Sequence, residues 1–133
     1  MLVVETYLTE SGEKGIGLFA KELILKGEQY WVRNENFDKL STQVQMETFD
    51  KMQRDFIKTY GFLETTGNWY LCIDNARFSN HSDKPNTINN INSRGELISC
   101  IASKNILPGE EILCDYRDVC MTCVSDLGFE NLE

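Results

Sequence analysis

The stretch Arg77-Phe78-Ser79-Asn80-His81-Ser82, continued by Asp83-Lys84-Pro85-Asn86-Thr87, gathers small polar side chains behind one aromatic. Asn, Ser and Asp bond to nearby backbone and Pro fixes φ, so an ordered loop is expected here. Such a loop either only turns the chain or holds a polar ligand against its backbone. His81 is the chain's one histidine. A general base or a metal ligand is one reading of it. A tetrahedral zinc site needs four ligands, however, and only Cys120 and Cys123 have metal-like spacing. No serine-hydrolase or kinase motif accompanies the loop.

Two further stretches bear on it. Lys14-Gly15-Ile16-Gly17 lies near the start, and Glu110-Glu111-Ile112-Leu113-Cys114-Asp115-Tyr116 near the end. Glycines let backbone approach a ligand closely or adopt φ > 0. Taken alone, this pair reads first as a plain hairpin turn. It lacks the third glycine of a dinucleotide fingerprint. Together and in this order, the three stretches resemble the signature of SET-domain protein-lysine methyltransferases, over about Leu2 to Asp118.

The resemblance implies a mostly β fold with one main helix, the SET-domain or β-clip fold. Its C-terminal segment would be threaded, an exception to the usual unknotted chain. The domain would span 1–118, with 119–133 a tail packing on or near the active site. The implied activity is methyl transfer from S-adenosyl-L-methionine to the ε-amine of a protein lysine. Lys14, Gly15, Ile16 and Gly17 would meet the cofactor largely through backbone. Asn80 and His81 match the family's cofactor-binding pair, His81 through its own backbone. Arg77 would brace the loop, pair with Asp115 or touch the cofactor. Tyr116 matches the terminal Tyr of the ELxxDY pattern and would be catalytic, its hydroxyl orienting the amine and polarising the methyl. Outside that match, a Tyr ending a strand is a core residue with an exposed hydroxyl. Two rivals stand beside this reading: a SET-like module that binds a peptide or cofactor without turnover, and a small β scaffold for assembly.

The chain departs from the family in three places. Arg33 stands where many members carry a second pocket tyrosine, leaving Tyr30 and Tyr70 as stand-ins. Asp83 follows the Asn-His-Ser triplet where zinc-binding members have Cys. Flanking cysteine clusters are absent, so no metal is expected. Cys114, two residues before Tyr116, occupies the position that tunes how many methyl groups are added, which makes it a substrate-pocket residue. Its small thiol implies room for di- or trimethyllysine.

The elements that must position these residues read as short strands. Leu2–Leu8, Trp69–Ile73, Ile88–Ile91, Leu97–Ala102 and Ile112–Tyr116 are β-prone. One helix is expected over Asp38–Tyr60, with Thr42 and Gln45 as a capping box. Phe49, Met52, Phe56 and Tyr60, with Ile57 beside them, predict a core-facing stripe. Ala20–Glu28 recurs as Ala102–Glu110, matching at Ala, Ile, Leu, Gly and Glu. Each copy reads as an apolar segment, a Gly turn and a strand, as in two similar halves of one β domain.

The length of 133 residues suits one domain. A net charge of −8 disfavours a nucleic-acid backbone as partner. It suits a basic, lysine-containing peptide, or serves only solubility. No apolar run approaches membrane-spanning length. Met1–Val4 lacks a basic secretory n-region, and five cysteines argue against a complete disulfide framework. A cytoplasmic protein is therefore expected, or a nuclear one in a eukaryotic host, as monomer or homodimer.

Overall fold

A computed structural model describes residues 1–119. The expected tail, with Cys120 and Cys123, lies almost wholly outside them. Ten short strands and two helices follow one another: β1 (Thr6–Glu10), β2 (Ile16–Ala20), β3 (Gln29–Val32), β4 (Lys39–Ser41), α1 (Gln43–Thr48), α2 (Lys51–Tyr60), β5 (Phe62–Leu63), β6 (Trp69–Leu71), β7 (Asn80–His81), β8 (Thr87–Ile91), β9 (Leu97–Ala102) and β10 (Leu113–Cys114). They form four small sheets: β1 with β2, β7 with β10, β3-β9-β8, and β4-β6-β5. All pairings are antiparallel except β7 with β10, which is parallel. The main core sits among them and includes Leu18, Ile24, Tyr30, Trp31, Tyr70 and Ile112.

The recurring segment shows how the halves meet. Ile24 and Ile106 exchange two backbone hydrogen bonds, at 2.9 and 2.8 Å. Ala20 does the same with Gly109 and Glu110, and Ala102 with Gly27 and Glu28. The copies thus pair with each other about a local two-fold. Gly27 (φ +88°) and Gly109 (φ +89°) make the same left-handed turn, a conformation that costs other residues a Cβ clash. Ile24 and Ile106 are both fully buried, and Leu25 and Leu107 both exposed.

Four expectations are corrected. The first strand starts at Thr6 rather than Leu2; Leu2 makes only an isolated bridge to Trp31. The single helix over Asp38–Tyr60 is a strand and two helices. Asp38 is buried, where its carboxylate accepts from the Tyr70 hydroxyl and the Ile73 N–H. Lys39–Ser41 then pairs with β6. Phe49 and Asp50 are extended, and Asp50 begins α2 with its own capping box to Gln53. A second cap inside a helical pattern stops one helix and starts the next. The apolar stripe is not all core: Ile57 is buried, but Met52 is 83 % and Phe56 47 % exposed. Finally, only Leu113–Cys114 of the last strand pairs with β7: the Ile112 N–H bonds the Leu18 carbonyl instead, and the Asp115 carboxylate caps a 3₁₀ turn over Tyr116–Asp118.

Candidate active site

Glu111 joins the first and last motifs. Its Oε1 accepts from Ser11 Oγ at 2.6 Å, and its Oε2 from Asn80 Nδ2 at 2.8 Å. The same amide also donates to the Ile16 carbonyl at 3.2 Å. Gly17 runs directly against this cluster. A Cβ there would stand 2.4 Å from Glu111 Oε2 and 3.0 Å from Asn80 Nδ2, closer than packed atoms tolerate. Lys14 Nζ donates to the His81 carbonyl at 3.1 Å. Lys14, Gly15, Ile16, Gly17, Asn80 and His81 are therefore brought together, although the sequence separates them widely.

The His81 ring faces Tyr116. The Tyr116 N–H donates to His81 Nδ1 at 3.1 Å, so Nδ1 is the accepting nitrogen. Nε2 lies 3.2 Å from Asp83 Oδ1. The imidazole thus positions the Tyr116 backbone. The Tyr116 hydroxyl donates to the Ser79 carbonyl. Burial first, and then the neighbouring Cys114 and Glu111, hold this phenol above the ordinary tyrosine range. It stays protonated, and so a hydrogen-bond donor, at neutral pH.

Three side chains fix the strand that carries Tyr116. Asn86 donates to the Glu111 carbonyl and accepts from the Leu113 N–H, both at 2.8 Å. Thr87 Oγ1 donates to the Leu113 carbonyl at 2.8 Å, and Asn89 Nδ2 to the Asp115 carbonyl at 3.1 Å. Carbonyls 111, 113 and 115 point one way, as strand periodicity requires. Neither Glu111 nor this Asn-Thr-Asn clamp was identified from sequence. The only signal was the crowding of short polar residues after Pro85.

A cavity of about 160 Å³ opens beside the clamp, lined by Tyr30, Cys114 and Tyr116 together with Cys72, Asn89 and Cys100. Burial pushes the Cys100 thiol up to about 12 and raises Cys72, Cys114 and Tyr30 as well. These walls are neutral at physiological pH. Among the described residues, no Asp or Glu lines the cavity.

Arg77 also borders it, but does not pair with Asp115. Arg117 takes that carboxylate with two 2.9 Å bonds and holds its pKa below the usual range. Arg77 instead donates to the Ile73 carbonyl at 3.2 Å and lies against the Tyr60 and Phe78 rings. Tyr70 is not a wall of the cavity. Its hydroxyl donates to Asp38 at 2.6 Å and accepts from Asn34 N–H at 3.1 Å. Arg33 lies 4.4 Å over the Tyr70 ring and grips the buried Glu64 with two 2.9 Å bonds. Of the two stand-ins, only Tyr30 reaches the cavity. Among the described residues, no group of three or more His, Cys, Asp or Glu is arranged to hold a metal ion.

A family model described as the SET domain matches residues 15–117. No curated protein matches the chain. Among solved structures it is similar to ctPRC2, in an autoinhibited conformation bound to S-adenosylmethionine, with a TM-score of 0.66 and 25 % identity over 97 % of this chain and 17 % of that one. A humanized mutant of the Chaetomium thermophilum Polycomb Repressive Complex 2, bound to the inhibitor GSK126, gives 0.65 and 25 % over 92 % of this chain and 16 % of that one. The chain thus spans about a sixth of the length of these two. A Plasmodium falciparum candidate histone methyltransferase gives 0.59 and 23 %, covering 85 % of this chain and 93 % of that one.

Proposed function

The chain belongs to the SET-domain family, and on that premise we propose that it transfers a methyl group from S-adenosylmethionine to the ε-amine of a lysine in a basic protein segment. The observation that carries this is the meeting of two features. A glycine cradle that leaves no room for a Cβ at Gly17 adjoins a cavity bordered by Tyr116 and, among the described residues, by no carboxylate. The residues present fit the cofactor. Gly15, Ile16 and Gly17 offer backbone at close approach, Asn80 and His81 lie against them, and buried Arg77 Nε has no acceptor among the described residues. Bound there, S-adenosylmethionine supplies an activated methyl group on a sulfonium.

The protein's own residues do the rest. A lysine amine must lose its proton before it can attack, and its reference pKa is about 10.4. The walls of Tyr30, Cys72, Cys100 and Cys114 exclude water and offer no carboxylate to stabilise an ammonium. Desolvation then favours the neutral amine. Tyr116, held by His81 through its N–H and by Ser79 through its hydroxyl, fixes the edge of the cavity where the amine arrives. Restricting the amine to an in-line approach can supply much of the remaining rate. No covalent intermediate or strong base is needed. Outside the site, the net charge of −8 favours encounter with a lysine-rich segment.

The test is to incubate the purified protein with methyl-labelled cofactor and basic lysine peptides, and to identify the labelled residue by mass spectrometry. Label on lysine is expected, with turnover reduced about 100-fold or more in Tyr116→Phe. Cofactor binding without transfer to any protein or peptide would overturn the proposal and leave a binding module.

A further inference from the structure

The chain has a second concave surface, which shares no wall residue with the cavity at Tyr116. It is a groove of about 420 Å³ formed by α2 with β4 and β6. Phe49, Met52 and Phe56 line it together with Ile57 and Leu71, which are buried. Met52 is 83 % exposed, Phe56 47 % and Tyr60 38 %. These three stand at i, i+4 and i+8 on α2, so they form one ridge along the helix. The Phe56 and Tyr60 rings touch, with centroids 4.9 Å apart. A ridge beside a groove is the relief into which a second helix packs, and a contiguous apolar surface of this kind marks an interaction site. Its charge runs against that of the molecule. Acidic residues outnumber basic ones by 21 to 13 in the chain, yet α2 carries Lys51, Arg54 and Lys58 against Asp55 alone. Among the described residues, Lys39 is the ionisable wall of the groove. Its Nζ lies 5.6 Å from the centre of the Phe49 ring, and the lysine ion pairs among those residues are those of Lys21 and Lys51. Gln53, also in the wall, spends its amide oxygen on the Asp50 N–H at 3.0 Å, which leaves its NH₂ group for another acceptor.

We propose that this face docks an acidic amphipathic helix of another protein. Apolar side chains of that helix fill the groove over Ile57 and Leu71, and one of its carboxylates pairs with Lys39. A lysine-rich segment does not fit, because it meets Lys39 and the basic side chains of α2. The partner helix and a basic substrate are thus told apart by the sign of their charge and meet different faces. A second copy of the chain does not suit the groove either. In a two-fold contact across this face each α2 meets its equivalent, and like charges oppose each other. A groove with a hydrogen-bonding amide in its wall also suits a shaped segment better than the plane of a bilayer. Nothing in this inference depends on methyl transfer.

The test uses two synthetic helical peptides with leucine at i, i+4 and i+8. One carries glutamate at its polar positions and the other carries lysine at the same positions. Both are fluorescently labelled and titrated with the full chain, followed by anisotropy. The glutamate peptide should bind about tenfold or more tightly than the lysine peptide, and added salt should narrow the difference. Met52→Ser should weaken the glutamate peptide about tenfold by removing an apolar anchor, and Lys39→Glu by a similar factor. Lys26→Glu changes the net charge equally at an exposed position outside the groove and should leave binding unchanged. Met52 and Lys39 are exposed, so these variants should keep the melting temperature of the unaltered protein. No binding of the glutamate peptide, equal binding of the two, or equal loss in Lys26→Glu and Lys39→Glu would overturn the proposal. Two further measurements identify other occupants, and either positive result would overturn it too: sedimentation showing a dimer that Met52→Ser dissociates, or vesicles of anionic lipid bound more tightly than the glutamate peptide.

Discussion

On the methyltransfer proposal, Cys114 is the residue that sets how much space a lysine amine has. Its thiol sits in the cavity wall, 3.8 Å from the Asn80 carbonyl, and burial keeps it protonated. A thiol is smaller than a phenol and a weaker hydrogen-bond partner. It neither fills the cavity nor holds a water as firmly as a tyrosine would. Tyr30, the other aromatic hydroxyl on that side, is already packed in the core at 3 % exposure. The expected outcome is that the unaltered enzyme proceeds to di- or trimethyllysine and that Cys114→Tyr stops mainly at monomethyl. Mass spectra of a substrate peptide over a full time course, with cofactor in excess, check it. A stop at one methyl in the unaltered enzyme would show that another side chain closes the cavity. Asn80→Ala tests the glycine cradle. It removes the amide that ties Glu111 to Ile16, so cofactor affinity should fall about tenfold in calorimetry. That Tyr116, Asn80 and His81 belong to one cluster was legible in the sequence, because the order of the motifs carries it. Glu111 and the clamp of Asn86, Thr87 and Asn89 were not. Their importance lies in which carbonyl each side chain reaches, and only the register of β8 against the last motif decides that.

At the scale of elements, the paired copies Ala20–Glu28 and Ala102–Glu110 hold the halves of the molecule together through mutual backbone bonds. The two turns are near-identical in φ, and an added Cβ would meet nothing within 4 Å at Gly27 and only the Tyr7 hydroxyl at 3.9 Å at Gly109. A substitution at either therefore costs backbone strain rather than a clash. Gly27→Ala and Gly109→Ala should each destabilise by about 1–2 kcal/mol, and by the same amount, as read from urea unfolding midpoints. Unequal costs would mean that the local two-fold is one of shape and not of energy. The recurrence itself could be read from the sequence, since it rests on matched residue types. That the copies would pair with each other could not. The break between α1 and α2 shows the same limit. Phe49, Met52, Phe56 and Tyr60 keep helical spacing across it, so periodicity alone runs the two helices together. Asp50 breaks them because its carboxylate binds the Gln53 N–H more readily than its backbone continues the helix.

The whole molecule answers to alkali through its buried thiols and phenols. Cys72, Cys100 and Cys114 all have raised pKa values with burial as the first cause, and so do Tyr30, Tyr70 and Tyr116. A group whose pKa is higher folded than unfolded binds its proton more tightly in the native state. Its contribution is therefore fully present below the unfolded value and is lost as pH rises through the folded one. For Cys100 the window opens at the ordinary thiol value of 9.0 and extends to about 12. Several such groups share one core, so their losses accumulate over the same range. Unfolding midpoints in urea should be flat from about pH 7 to about pH 8.5 and should then fall steadily. Cys100→Ala should lower the midpoint at neutral pH, because it removes a packed side chain. It should also make the alkaline fall shallower, because one proton no longer differs between the two states. A slope unchanged by Cys100→Ala would mean that this thiol does not carry the linkage and that the other buried thiols and the phenols do. The same measurement bears on the site, since Cys100, Cys114, Tyr30 and Tyr116 line the proposed channel. Walls that stay neutral to high pH leave the amine of the incoming lysine as the group whose proton sets the rising limb of activity. Turnover should then increase with pH through neutrality until the alkaline loss of folded protein overtakes it.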